Sequence, residues 1–307
     1  MGRRLAIRHA IRWGIPILVV VLALVYGFIS FMIASGITKY ERRSQEDHPT
    51  AYGLPFEDVE FLSRGGDVIL SGWYIPGENG RRTIIMIHGI GGVRSGDDAV
   101  DLASHLVAHG FSILMFDFRG HGSSEGEFIS AGYFERQDVL GAFDFLITQG
   151  IPSECIGLLG FSMGGATAIL SAAEEPAICA LVVDSPYAKV SELIAKETAR
   201  KTFIPELISP MFIPGVKVMT SVVYGIHLAE MVPEEVVKLL PYPIMVIHGK
   251  ADTMIPFNHG VRVHQAAHPE SVIWLVPGVD HIDAFVTYPE EYVERLADYF
   301  NKQIGIE

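Results

Sequence analysis

Six short apolar runs, rich in β-branched residues, recur along this chain with helical stretches between most of them. They are Thr83–Ile87, Ser112–Phe116, Ile156–Gly160, Leu181–Asp184, Ile244–His248 and Ser271–Val276. Runs this short and this uniformly apolar read as strands buried on both faces, as in a parallel sheet. Amphipathic stretches near Asp97–His109, Phe134–Gln149, Met163–Glu174, Asn258–Ala267 and Pro289–Lys302 supply the helices that cover it. Phe56–Ser63 and Val68–Ile75 flank Gly65-Gly66 and read as a leading hairpin. The fold class expected is therefore α/β: a mostly parallel, eight-stranded sheet with helices on both faces.

The alternation breaks once, between Lys189 and Leu240, where two strand signals stand far wider apart than a plain crossover needs. That segment has a helical pattern broken by Pro205, Pro210 and Pro214, and reads as a helical cap inserted after the sixth strand. Its apolar residues, among them Phe203, Ile204, Ile208, Met211, Phe212, Ile213, Val218, Met219, Val222, Val223 and Tyr224, suit a lipid-like acyl pocket, or ordinary packing of the cap.

Charge is uneven. Residues 1–40 hold Arg3, Arg4, Arg8, Arg12 and Lys39 and no acid, so the remainder carries −18, the chain's −13 less that +5. An acidic body repels phosphate backbones, which argues against a nucleic-acid partner. From Trp13 to Thr38 no residue is charged, enough helix to cross a bilayer with tilt. We expect a transmembrane anchor over residues 1–40 and a catalytic domain over 41–307, with Tyr40–Gly53 as a polar tether and the cap at about 189–240. Pro16 sits near the start of the apolar run, where it is tolerated. Arginines ahead of the span favour a cytoplasmic N-terminus and an extracytoplasmic body. Ala34-Ser35-Gly36 offers a rival reading as a signal-peptide cleavage site, although the run is long for one. Cys155 and Cys179 form no disulfide framework and read as small buried hydrophobes.

The chemistry centres on Gly160-Phe161-Ser162-Met163-Gly164-Gly165. A G-x-S-x-G that follows an apolar strand and opens a helix makes a tight turn that thrusts the serine outward. Gly122-Ser123-Ser124-Glu125-Gly126 fits the same pattern but has no strand directly before it and no helix directly after, so Ser124 is a decoy. A hydroxyl needs a base. His281 follows the last strand in Val276-Pro277-Gly278-Val279-Asp280-His281. His248 lies inside an apolar run and reads as packed; His259, His264 and His268 read as solvent-facing on or near a helix. The imidazole in turn needs a carboxylate acceptor. Asp252, just past a strand end, is the candidate; Asp184, after the preceding strand, competes. Oxyanion donors are expected from the backbone N–H of Met163 and from Ile90 in His88-Gly89-Ile90-Gly91-Gly92. That loop could also suggest a dinucleotide site, but position 94 is Arg where the third glycine belongs, and the acid that follows, Asp117, comes late.

These residues together resemble the α/β-hydrolase superfamily, whose triad order is that of Ser162, Asp252 and His281. Asp117-Phe118-Arg119-Gly120-His121-Gly122-Ser123-Ser124 looks like its D-x-R-G-x-G-x-S loop, and His88-Gly89 like its oxyanion-loop motif. The anchor, short cap and GFSMGG elbow are similar to the BEM46-like membrane-associated subgroup. The resemblance covers roughly residues 56–302. It implies hydrolysis of esters, amides or thioesters without metal or organic cofactor. Dehalogenases of the superfamily have an Asp where this chain has Ser162. Some members keep the triad yet bind without turnover. The reading reached is a carboxylesterase or lipase-like serine hydrolase acting on a small-molecule or lipid-like acyl substrate, with a thioesterase, a peptidase or a non-catalytic binder as alternatives.

Overall fold

The computed structural model describes residues 2–78, 80–201 and 204–304. Phe203 of the cap lies outside them, as do residues 305–307. Two compact units emerge: residues 1–37 with 191–229, and residues 38–190 with 230–307.

The larger unit is built on one eight-stranded sheet in the order β1-β2-β4-β3-β5-β6-β7-β8. The strands are β1 (Glu57–Leu62), β2 (Ile69–Ile75), β3 (Thr83–Ile87), β4 (Ser112–Phe116), β5 (Ile156–Phe161), β6 (Leu181–Asp184), β7 (Met245–Gly249) and β8 (Val272–Val276). β1 and β2 form an antiparallel hairpin, and β2 pairs antiparallel with β4. From β4 to β8 every pairing is parallel. Every residue of β3, β4, β6 and β7 is buried, as continuous apolar runs require when helices cover both faces.

The helices are α1 (Gly2–Ile37), α2 (Ala99–Ala108), α3 (Glu135–Thr148), α4 (Met163–Glu174), α5 (Val190–Lys201), α6 (Ile213–Tyr224), α7 (Pro233–Val236), α8 (Asn258–Ala266), α9 (Ala284–Thr287) and α10 (Pro289–Gln303). On one face, Val100, Leu102 and Leu106 of α2 and Tyr292, Leu296 and Phe300 of α10 join Ile84, Met86, Ile113, Leu159, Val182 and Ile247 in a single core. Each such side chain contributes about 1.5–3 kcal/mol by leaving water. The helix α2 starts two residues later than its periodicity suggests because Asp97 and Asp98 both take left-handed backbone (φ 56° and 55°), which no α-helix accommodates.

One expectation gains detail and one needs correction. The segment Tyr40–Gly53 reads as a polar tether, and the structure adds that hydrogen bonds tie it down along its length. The Arg42 guanidinium donates to the carbonyls of His121, Gly122, Ser124 and Gly126 at 2.5–3.3 Å, and Gln45 Nε2 donates to Asp117 Oδ2 at 2.8 Å. Cys179 is half-buried, whereas Cys155 is buried.

In the smaller unit α1 runs from Gly2, so Pro16 is interior to the helix rather than near its start. Its stretch Arg12–Ile37, with mean hydropathy 2.8, is long and apolar enough to cross a bilayer. α6 lies along the C-terminal part of α1: the Tyr26 and Phe212 rings stack with centroids 5.4 Å apart, and Ser35 Oγ and Tyr224 Oη share a hydrogen bond of 2.7 Å.

Candidate active site

The site gathers where β5, β7 and β8 end. Ser162 occupies the turn from β5 into α4 at φ 54°, ψ −119°, a strained conformation for a residue with a Cβ. The turn is possible only because its flanks lack side chains. A Cβ on Gly160 would lie 2.5 Å from Gly164 O, and one on Gly164 would lie 2.3 Å from Ile87 O. The Ser162 N–H donates to Asp184 O at 2.8 Å, tying the turn to β6.

His281 Nε2 lies 2.8 Å from Ser162 Oγ, and His281 Nδ1 lies 2.7 Å from Asp252 Oδ2. Three groups spread over more than a hundred residues of chain thus form one continuous hydrogen-bonded line. Asp252 stands just past β7, in a loop fixed to its neighbour by Ala251 N–H donating to Val279 O at 2.9 Å. Asp252 Oδ1 accepts the N–H groups of Met254 and Ile255 at 2.9 and 2.7 Å. Burial alone would raise its pKa, but hydrogen bonds from His248 and His281 and the Ile255 amide outweigh it and hold the carboxyl well below the usual carboxylate range. Asp280, next to His281, points elsewhere: its carboxylate accepts from Thr253 N and from the His281 backbone N–H, both at 2.8 Å.

His248 is packed, as its apolar run suggests, but it also touches the site. Its Nε2 lies 3.2 Å from Asp252 Oδ2 and 2.9 Å from Ile255 O. The spacing of four residues across a strand end was the available signal. The proton belongs on Nε2, because both neighbours are acceptors. His248 Nδ1 faces Gly260, where a Cβ would come within 2.4 Å.

The competing acid, Asp184, is fully buried and turned away from His281. Tyr292 Oη donates to its Oδ2 at 2.9 Å and Ser185 Oγ to its Oδ1 at 3.0 Å. Burial, against these two hydroxyls, pushes it up to about 6. Ser124 is equally far from the role: it is buried, its Oγ donates to Asp117 O, and it accepts from Ser71 N at 2.9 Å. His259, expected to face solvent, is buried and accepts from Ala188 N at 3.1 Å.

The loop after β3 lies directly beside the serine. A Cβ on Gly89 would be 3.2 Å from Ser162 Cβ. Two buried histidines hold the loop. His88 Nε2 accepts from Phe118 N at 3.0 Å while its Nδ1–H donates to Gly89 O at 2.7 Å. His121 Nε2 accepts from Gly91 N at 3.1 Å while its Nδ1–H donates to Arg119 O at 2.9 Å. Desolvation keeps both neutral, lowering His88 to about 4. Among the described residues the N–H groups of Ile90 and Met163 donate to no protein acceptor. The dinucleotide alternative fails on occupancy: the Asp117 carboxylate accepts from Arg94 N, Gln45 Nε2 and Ser123 N, and the Arg94 guanidinium covers Trp73 at 4.3 Å.

A cleft of about 590 Å³ opens beside Ile90 and Gly91, walled by Tyr40, Glu41, Arg42, Arg43, Ser44 and Glu46. It is more polar than the apolar pocket expected from the cap. Of the cap residues, Met211, Val218, Val222 and Val223 are exposed, and Phe212 packs on α1. Among the described residues no group of three or more His, Cys, Asp or Glu is placed to hold a metal ion.

Comparison with known proteins agrees with this architecture. Residues 78–219 match the hydrolase family described as serine aminopeptidase, S33. The uncharacterized protein YfhR of Escherichia coli O157:H7 is 29% identical over 260 residues, covering 80% of this chain and 82% of that one. The alpha/beta hydrolase domain-containing protein aho-3 of Caenorhabditis elegans is 28% identical over 238 residues, 74% of this chain and 60% of that one. The esterase Pf2001 of Pyrococcus furiosus superposes with a TM-score of 0.70 at 24% identity, over 88% of this chain and 99% of its own. An esterase domain from Rhodothermus marinus gives 0.61 at 17% identity, over 82% of this chain and all of its own.

Proposed function

We propose that this chain, which has the α/β-hydrolase fold, is a serine hydrolase that cleaves carboxylic esters through an acyl-enzyme. The observation that carries the reading is the unbroken line from Ser162 Oγ through the His281 ring to the Asp252 carboxylate, at 2.8 and 2.7 Å. Ser162 Oγ attacks the substrate carbonyl as His281 Nε2 takes its proton. Asp252 fixes the ring with its other proton on Nδ1 and stabilises the imidazolium that forms. The N–H groups of Ile90 and Met163 hold the oxyanion, with the α4 N-terminus adding positive potential. His281 then returns the proton to the leaving alkoxide. A water activated by the same imidazole attacks the acyl-serine and releases the acid.

Esterases among the structural neighbours support an ester substrate. The aminopeptidase description of the matched family supports amide cleavage on the same groups as the second reading. Treatment with a fluorophosphonate probe, followed by mass spectrometry, should label Ser162; labelling that survives Ser162→Ala would remove Ser162 from the role. A panel of p-nitrophenyl esters of varied chain length against aminoacyl anilides separates the two readings, and preference for anilides would overturn the esterase. A binder without turnover would show thermal stabilisation by ligand and no product.

The anchor, short cap and GFSMGG elbow keep the BEM46-like resemblance as the subgroup reading. Arg12–Ile37 serves as an uncleaved span with the catalytic unit outside the cytoplasm. N-terminal sequencing of the purified chain tests this: a start near Ser35–Tyr40 would identify a cleaved signal instead.

A further inference from the structure

We propose that α6 of the cap is itself embedded in the bilayer, in the leaflet on the C-terminal side of α1, with its outer face against lipid acyl chains. The inference rests on the reading of α1 as a span, and it extends that reading to a second helix.

The contact between α1 and α6 is of the kind used in lipid. Apolar side chains gain little by meeting each other where the solvent is hydrocarbon, so membrane helices associate through small residues and interhelical hydrogen bonds. A Cβ on Gly215 would fall 2.2 Å from Ser30 Oγ and 2.7 Å from the Tyr26 ring, so the backbone of α6 approaches α1 as closely as only glycine allows. Gly27 contributes a second small position, with Met219 Cε 3.7 Å from where its Cβ would be.

Two backbone groups at the contact are satisfied from within the pair, while Ser30 Oγ is buried there without a hydrogen-bond partner among the described residues. Tyr26 Oη donates to Met211 O at 2.9 Å and accepts from Gly215 N at 3.1 Å. Gly215 N belongs to the first turn of α6, whose N–H groups have no acceptor within the helix. Pro214 in the same turn has no N–H to satisfy. In hydrocarbon these groups cannot turn to water, and a tyrosine from the span meets the need.

The opposite side of the pair is apolar and open. Met211 is 68% exposed, Val222 77% and Leu207 90%, alongside Val218 and Val223. So many exposed apolar side chains on one short segment are costly against water; beside a span they add to the exposed apolar residues of α1, Phe28 and Met32 among them. Depth follows from the register. Met211–Tyr224 lies beside Tyr26–Ser35, a length of roughly 14 Å along the helix. Tyr224, against Ser35, stands near the interface where tyrosines are favoured. Lys217, half-buried, is the single charge in α6, and its stem can carry the ammonium toward the headgroups. The exposed Glu206, five residues ahead of Met211, has to lie outside the hydrocarbon for α6 to be embedded.

The test uses the full chain, with Cys155→Ala and Cys179→Ser, reconstituted in phosphatidylcholine vesicles with and without brominated acyl chains. An environment-sensitive fluorophore is placed by Met211→Cys, Val222→Cys, Leu22→Cys on α1, or Glu270→Cys on the catalytic unit. The proposal expects labels at 211 and 222 both to be blue-shifted and quenched, that at 211 about as strongly as the label at 22 and that at 222 less strongly, with 270 unaffected. Labels at 211 and 222 that behave like 270, while 22 is quenched, overturn the embedding of α6 and leave the anchor intact. A label at 22 that also reports water overturns the anchor and this inference with it.

Discussion

Asp184 and Asp252 stand at the ends of neighbouring parallel strands, β6 and β7, both buried, and they are shifted in opposite directions. Asp184 receives two hydroxyl donors, Tyr292 and Ser185, and its desolvation prevails, so it is pushed up to about 6. Asp252 receives two backbone amides and two imidazoles, and it is held well below the ordinary range despite its burial. Burial is common to both; the supply and kind of donors is what differs. On the proposed reading, a strand-end aspartate can partner the His281 imidazole when amides and rings around it favour its ionised form, whereas with fewer such donors burial favours the protonated one.

The largest effect sets the scale. Ser162→Ala should lower kcat by on the order of 10⁶-fold, read with a fluorogenic ester under single-turnover conditions. Next, Asp252→Asn should lower kcat by on the order of 10⁴-fold, because the amide presents the wrong partner to His281 Nδ1. Asp184→Asn should cost no more than a few-fold in the same assay; a loss rivalling that of Asp252→Asn would break the contrast. Third, His248→Phe removes one donor from Asp252 and should reduce kcat/KM by on the order of tenfold, the worth of a hydrogen bond to a charged group. His248→Gln should recover part of that loss, and equal losses in the two variants would remove His248 from any part in holding Asp252.

The smallest effect concerns stability, and the two acids predict opposite slopes with pH. A carboxyl raised to about 6 in the folded chain, from an ordinary 3.8, favours folding while protonated. That contribution is complete below about pH 4 and is lost as pH rises through about 6. Asp184→Asn should therefore be more stable than the parent at pH 7.5, by roughly 3 kcal/mol at most, with the gap closing toward pH 4. Asp252 behaves in reverse: its lowered pKa contributes stability above the usual carboxylate range and withdraws it as pH falls below that range. Thermal unfolding of Asp184→Asn at pH 4.5 and 7.5, and of Asp252→Asn at pH 3 and 5, checks the pair against the parent; slopes of the same sign would undo the comparison.

Much of this arrangement is legible in residue order. The strand β3 coincides with its apolar run Thr83–Ile87, and β4 with Ser112–Phe116, because strands buried on both faces need uninterrupted apolar residues. Ser162 is separable from Ser124 because only one of the two G-x-S-x-G patterns has a strand behind it and a helix ahead; Ser124 proves to be a lock on Asp117 and Ser71. What escaped the sequence depends on contacts distant along the chain. Nothing local says that Arg42 gathers carbonyls some eighty residues away, that His121 holds Gly91, or that His259 turns inward to Ala188. The left-handed pair Asp97-Asp98 was equally hidden, since periodicity carries no sign of backbone strain.

The guanidinium of Arg42 has a practical corollary for anyone trimming this chain. Its four carbonyl acceptors lie in the loop that carries His121, and His121 supports the glycine next to Ile90. Shortening from the N-terminus to obtain the catalytic unit alone should stop at Thr38. A cut placed nineteen residues later, at the start of β1, would delete this brace, and its loss would be felt at the Ile90 amide proposed to hold the oxyanion.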